Sequence, residues 1–233
     1  MNWLNFMNQL AQWIYMILKL TGIWWLFNLP YVLIGALLLL APDVGSIHTL
    51  VIIGIILLPF VAIPSTVATL AIARRYMKED DVFPLLQVFW SYYKREYKKS
   101  MVVGCLSAVI WIVFYLALRY YAGISSLLAI VFYMLVVLTP FFFMYVYSFL
   151  VDQKLPLKSY LTNTLFLLLM HPLNTFLMIL DALVIAYVLW VVFPPLLVFI
   201  YPGFIALIVT YFYQKSMDVE IEKWERHSKP VTL

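Results

Sequence analysis

Charge is what this sequence has least of. Asp, Glu, Lys and Arg make up 11% of its 233 residues, where a soluble domain carries roughly 25%. So few charged side chains cannot cover a water-facing surface. Hydrophobic residues account for 66% of the chain and the mean hydropathy is +0.99, so the solvent for most of it must be lipid. Cysteine is nearly missing as well. Cys105 stands alone inside an apolar run, which excludes an internal disulfide and any CxxC-type site. His48, His171 and His227 lie far apart and form no HExxH set, so no metal centre is expected. There is no GxxxxGK[ST] loop, which excludes a P-loop ATPase. Nor is there a pair of acids, or a nucleophile beside a base; the reading is a non-enzymatic protein without cofactor. The net charge of +4 is no nucleic-acid footprint, because the positions of the cations explain it better.

Long apolar runs are what the sequence has instead. Six can cross a bilayer, which takes about 20 residues each: residues 18–40, 50–73, 100–121, 125–150, 173–193 and 196–213. The last two are parted by the tight break Phe193-Pro194-Pro195-Leu196. Unbroken runs of this length fit helices; a membrane barrel would show short alternating strands. The fold class expected is all-α, a single polytopic bundle of six transmembrane helices. Lys and Arg orient it. Of the fifteen, all but Arg119 fall on one side of six crossings, chiefly in segments 74–99 and 151–172 and in the tail. The positive-inside rule puts that side, and both termini, in the cytoplasm. No positive n-region or small-residue cleavage site is visible at the start, so span one is read as its own insertion signal.

The basic side carries amphipathic segments. Residues 2–16 place Asn5, Asn8, Gln9 and Gln12 on one stripe and Trp3, Phe6, Leu10 and Trp13 elsewhere. Residues 82–98 begin with an early proline, Pro84, then mix Phe89, Trp90, Tyr93 and Tyr97 with Lys94, Arg95 and Lys98. Residues 155–170 begin with Pro156 and gather Lys158, Ser159, Thr162 and Asn163 on one side. Each reads as a cytoplasmic surface helix ahead of a two-span hairpin. The register of Pro84 with Pro156 suggests a parallel threefold hairpin repeat, although any protein with an even number of spans also reads as hairpins. A tail helix over 214–228 follows the last span.

A resemblance rests on three stretches: Asn28-Leu29-Pro30, PFVAIPSTVATLAIARRYMKEDD over 59–81, and FPLLQVFWSYYKREYKKS over 83–100. Together they resemble the YesL family of bacterial membrane proteins, with Pro64, Ser65, Thr66, Ala68, Thr69 and Leu70 in the place of that family's small-residue stretch. The sequence departs from it in carrying Ile63 where members have Gly, and in a longer chain between the motifs. Members tend to be encoded beside ATP-binding-cassette (ABC) carbohydrate importers. The resemblance implies an accessory role in uptake, with permease or ATPase subunits of such an importer as partners.

Candidate functional residues are few, each with a plainer alternative. Asp181 sits mid-span in LMILDALVIAYVLW, residues 177–190. An acid there costs about 2.5–3.5 kcal/mol on insertion scales, which the surrounding apolar residues offset, but it still wants a partner. Asn28, Ser65, Thr66, Ser107 and Thr139 fall at comparable depth. The expectation is one midplane polar cluster in the bundle interior. It is either a proton, cation or substrate site, with Asp181 coupling transport, or a clamp between helices. Arg119, at the end of the stripe Ser107, Trp111, Tyr115, and Lys19 at the other face are cation or sugar-facing sites or snorkelling side chains in an aromatic belt. The aromatic run over 139–149 is a ligand wall or lipid contact. Pro30, Pro59, Pro64, Pro140 and Pro202 each free a carbonyl, and Pro59 with Pro64 makes span two the best candidate for a broken helix. Trp90, Tyr93, Lys94, Arg95 and Lys98 dock a partner or hold lipid.

Overall fold

The computed structural model describes residues 3–78 and 83–228, and those residues are helical throughout their regular elements. Asn2, Glu79, Asp80, Asp81, Val82 and Lys229, named or quoted in the sequence analysis, lie outside them. Among the described residues nine α-helices follow in order: α1 (Trp3–Phe27), α2 (Leu29–Leu39), α3 (Val44–Leu57), α4 (Ile63–Lys78), α5 (Leu85–Tyr121), α6 (Ser126–Asp152), α7 (Leu157–Met170), α8 (Pro172–Val192) and α9 (Pro194–Ser228). A π-helical turn, Leu58–Ala62, joins α3 to α4. Starts are set by rigid or capping residues. Pro84 and Pro156 precede α5 and α7, and Pro172 and Pro194 open α8 and α9, where a missing N–H costs nothing. The Asp43 side chain caps α3 by accepting from the Ser46 N–H at 2.8 Å.

Six of these segments are long and apolar enough to cross a membrane: Met7–Phe27, Val44–Lys78, Leu85–Tyr121, Ser126–Asp152, Pro172–Val192 and Pro194–Arg226. The expected all-α bundle with six membrane-length helices is therefore what the chain forms, a multi-pass membrane protein. Several boundaries differ from expectation. Span one does not run over 18–40; the helix starting at Trp3 continues to Phe27, breaks at Asn28, and resumes as an 11-residue α2. Nothing between residues 12 and 20 stops a helix, whereas Asn28 and Pro30 do. Likewise, the basic segment and the third span are one 37-residue helix, α5, because KREYKKS contains no breaker. The tail runs on in α9 without interruption. Only α7 stands apart from the span after it, because Pro172 cannot donate to continue it.

Burial concentrates on α4. Ile63, Pro64, Ser65 and Val67 to Ala73 are buried, and α1, α5, α6 and α9 pack round them. Close approaches need glycine at two places. A Cβ on Gly203 in α9 would lie 2.5 Å from both the Ile17 carbonyl oxygen and Thr21 Oγ1 of α1. One on Gly104 in α5 would lie 3.1 Å from the Pro59 Cα. By contrast, α3 buries no residue and α8 only Met178 and Ala182. Helix α8 packs chiefly on α9, with a brief touch on α7.

Candidate functional site

Each mid-helix proline removes the N–H that the carbonyl four residues earlier would have accepted. In hydrocarbon a bare carbonyl costs several kcal/mol, so a donor must come from elsewhere. In four places it is an aromatic side chain from another helix. Pro140 strands the Val136 carbonyl, and Trp111 Nε1 of α5 donates to it at 3.2 Å. Pro202 strands that of Val198, and Trp25 Nε1 of α1 donates at 3.0 Å. Pro64 leaves Phe60, whose oxygen accepts from the Tyr97 hydroxyl at 3.2 Å. At Pro59 the Leu58 N–H turns to Ile55, and the Gly54 carbonyl accepts from the Tyr31 hydroxyl at 2.8 Å. The sequence singles out these prolines, and Tyr97 and Trp111 for other reasons, but not Trp25 or Tyr31, and it pairs none of the four with a proline. The only signal for the four was an aromatic with a polar tip at a depth shared with a proline.

The broken helices frame a cavity of about 460 Å³ between α3, the π turn, α4, α5 and α6. Thr66, Ser107 and Thr139 line it together with Trp111 and Tyr147, so three of the expected cluster do share one space. Their hydroxyls are already committed. Thr66 Oγ1 donates to the Ala62 carbonyl at 2.7 Å and accepts from Trp24 Nε1 at 3.0 Å. Ser107 Oγ donates to Gly104 at 2.8 Å and shares a hydrogen bond with the Tyr147 hydroxyl at 3.1 Å. Thr139 Oγ1 donates to Leu135 at 2.6 Å. The walls are otherwise apolar and carry no charge. Such a space suits a hydrocarbon group and offers nothing to an ion. Asn28 and Ser65 sit beside it as a clamp. Asn28 Nδ2 donates to Ser65 Oγ at 2.6 Å and to the Trp24 carbonyl at 2.7 Å, and both residues are fully buried.

Asp181 is elsewhere, and the interior placement expected of it is wrong. It faces outward from α8, exposed, on the same flank as exposed Leu177, Val184 and Val188. No hydrogen bond or ion pair reaches it among the described residues. The helix turns Met178 and Ala182 to α9, and the Tyr201 hydroxyl reaches the Ala182 carbonyl at 3.4 Å. Those contacts fix the rotation that leaves Asp181 outside.

At the basic end the bundle is tied by polar groups. Arg74 pairs with Asp152, which also accepts from the Tyr213 hydroxyl at 3.1 Å. The linker into α7 wraps the buried Tyr160 hydroxyl, which donates to Gln153 at 2.9 Å and accepts from the Leu155 N–H at 3.0 Å. Glu220 bonds Lys223 at 2.6 Å and His171 at 2.8 Å. The expected docking helix is the first third of α5. Trp90 stacks on Tyr93 with centroids 5.6 Å apart, and Lys94 lies 4.7 Å over the Trp90 ring. Arg95 is turned to buried Glu96 at 2.6 Å, and Lys98 is exposed. Phe89 is buried against Phe27 at 4.4 Å, so this segment is packed on the end of α1 rather than resting free on a surface.

Comparison with known proteins adds a family likeness. The profile described as "Protein of unknown function, DUF624" matches residues 17–118. That stretch runs from α1 into α5. It holds Asn28, Ser65, Thr66 and Ser107, and stops short of Thr139 and Asp181. It is also the half that resembles the YesL family, a name the match is compatible with and does not establish. Over 153 residues the chain is 25% identical to "Uncharacterized protein YesV" of Bacillus subtilis (strain 168), covering 64% of this chain and 73% of that one. Over 59 residues it is 34% identical to "Uncharacterized protein YteU" of the same organism, covering 25% and 27%. No solved structure matches.

Proposed function

We propose that this is a non-enzymatic accessory protein of the bacterial inner membrane, with both termini cytoplasmic, that works by docking another membrane protein. The observation that carries the reading is Asp181. An acid on the outward flank of a membrane-length helix, with no donor among the described residues, keeps an insertion cost of about 2.5–3.5 kcal/mol. A neighbouring transmembrane helix offering a lysine, arginine or strong hydrogen-bond donor at the same depth relieves it. Helix α8 is free to receive one, since its packing is almost wholly on α9. The resemblance to the YesL family supplies the partner's class, the permease of an ABC carbohydrate importer. The rival reading, a transporter coupled through Asp181, loses its support because that residue faces outward and does not line the 460 Å³ cavity.

The test is co-purification of the tagged chain with importer subunits in mild detergent. The wild type should bring down the permease, Asp181→Asn less of it, and Asp181→Leu about tenfold less or none, each chain otherwise folding normally. Equal recovery by Asp181→Leu, or recovery of the wild-type chain alone under conditions that preserve known complexes, overturns the proposal.

A further inference from the structure

A cleft of about 730 Å³ opens between α1, α4 and α9 at the end of the bundle where the cations gather. Its polar lining is rich in donors. Lys19 projects into it with Gln12, Trp13, Tyr15, Tyr76 and Gln214. No carboxylate among the described residues lines it. Lys19 is half-buried, and its ammonium is folded back over ring faces, 4.0 Å from the centroid of Tyr15 and 5.7 Å from that of Tyr76. A lysine that merely snorkels would extend into water instead. No acid pairs with Lys19 among the described residues. The Gln214 side-chain nitrogen is also buried without an acceptor. The Lys19 ammonium thus stands in the cleft without an acid, Gln214 with its unpartnered amide nitrogen forms part of the wall, and Met16 and Met77 give it apolar sides.

We infer that this cleft binds an anionic phosphate, carried by a lipid headgroup or by a soluble phosphorylated molecule. A basic pocket between helices at the cytoplasmic leaflet has the setting in which anionic headgroups are held. The rings under Lys19 keep its charge in place by cation–π attraction. The inference is independent of Asp181, which lies on α8, away from this cleft.

Native mass spectrometry of the purified full chain would count bound lipid after exposure to phosphatidylglycerol or to phosphatidylcholine, with glycerol phosphate as the soluble arm. The wild type should retain phosphatidylglycerol over phosphatidylcholine, and Lys19→Gln should weaken that retention about fivefold, the share of one basic group at a membrane surface. Lys19→Arg should keep it, and Gln214→Glu, which puts an acid into the cleft, should abolish it, while Lys154→Gln, an exposed linker position outside the cleft, leaves it unchanged. Competition by glycerol phosphate would assign the site to soluble phosphate; its failure to compete would assign the site to lipid. Equal retention of both lipids with no binding of glycerol phosphate, or wild-type retention by both Lys19→Gln and Gln214→Glu, overturns the inference.

Discussion

At the scale of single residues, Gly203 and Asp181 make opposite demands. Gly203 is where α9 lies against α1. Its N–H donates to Thr21 Oγ1 at 3.0 Å, and Thr21 donates onward to the Ile200 carbonyl at 3.2 Å. Gly203→Ala would drive a methyl into that hydroxyl and into the Ile17 backbone. Thermal melts in detergent should show a loss of about 1–3 kcal/mol, typical of overpacking. Gly35→Ala in α2, where nothing lies within 4 Å of the added carbon, should be neutral or slightly stabilising through helix propensity. Asp181 shows what residue-level reading could not reach. Its place half-way along an apolar helix was legible, since a carboxylate among thirteen apolar neighbours stands out. Its direction was not, because α8 is apolar all round and no periodic stripe says which face turns inward. That was set by α9, through Met178, Ala182 and the Tyr201 hydroxyl.

At the scale of elements, proline and aromatic act as a pair. Composition and spacing were enough to find the helices, the hairpin breaks at prolines, and the shared depth of Asn28 and Ser65, though not that these two pair with each other. Continuity was harder: amphipathic character over residues 82–98 suggested a separate surface helix, but only a breaker ends one, and none is there. The partner of each stranded carbonyl is a tertiary fact, visible only once α5 lies beside α6. The Trp111–Pro140 pair gives a thermodynamic test. Trp111→Phe removes the donor to the Val136 oxygen and should cost about 1 kcal/mol, the worth of one hydrogen bond. In a Pro140→Ala background the helix supplies its own N–H to that oxygen, so the same substitution should cost much less. A double-mutant cycle in detergent reads the difference. Strictly additive losses would mean that the indole contributes only packing.

For the molecule as a whole, burial and charge are distributed along the same axis. Helix α4 is buried through Ala73 and ends in Arg74, Arg75 and Lys78. Helix α9 buries Val209, Thr210, Phe212 and Tyr213 just before Lys215. The far halves of α5, α6 and α8, and all of α3, are largely exposed apolar surface. The tightly packed end is therefore the basic end, tied by Arg74–Asp152 and by Tyr160 with its linker. Holding cations on one side is an insertion rule rather than a packing rule, so it makes a claim about topology that accessibility labelling can test. In a Cys105→Ser background, Gly123→Cys lies in the turn between α5 and α6 and Lys223→Cys on the extension of α9; both are open positions. An impermeant maleimide added to intact cells should label Gly123→Cys and leave Lys223→Cys unlabelled until the cells are lysed. The reverse pattern would turn the bundle over. The cleft around Lys19 would then face the outer leaflet, and the cations would stand on the side where insertion disfavours them.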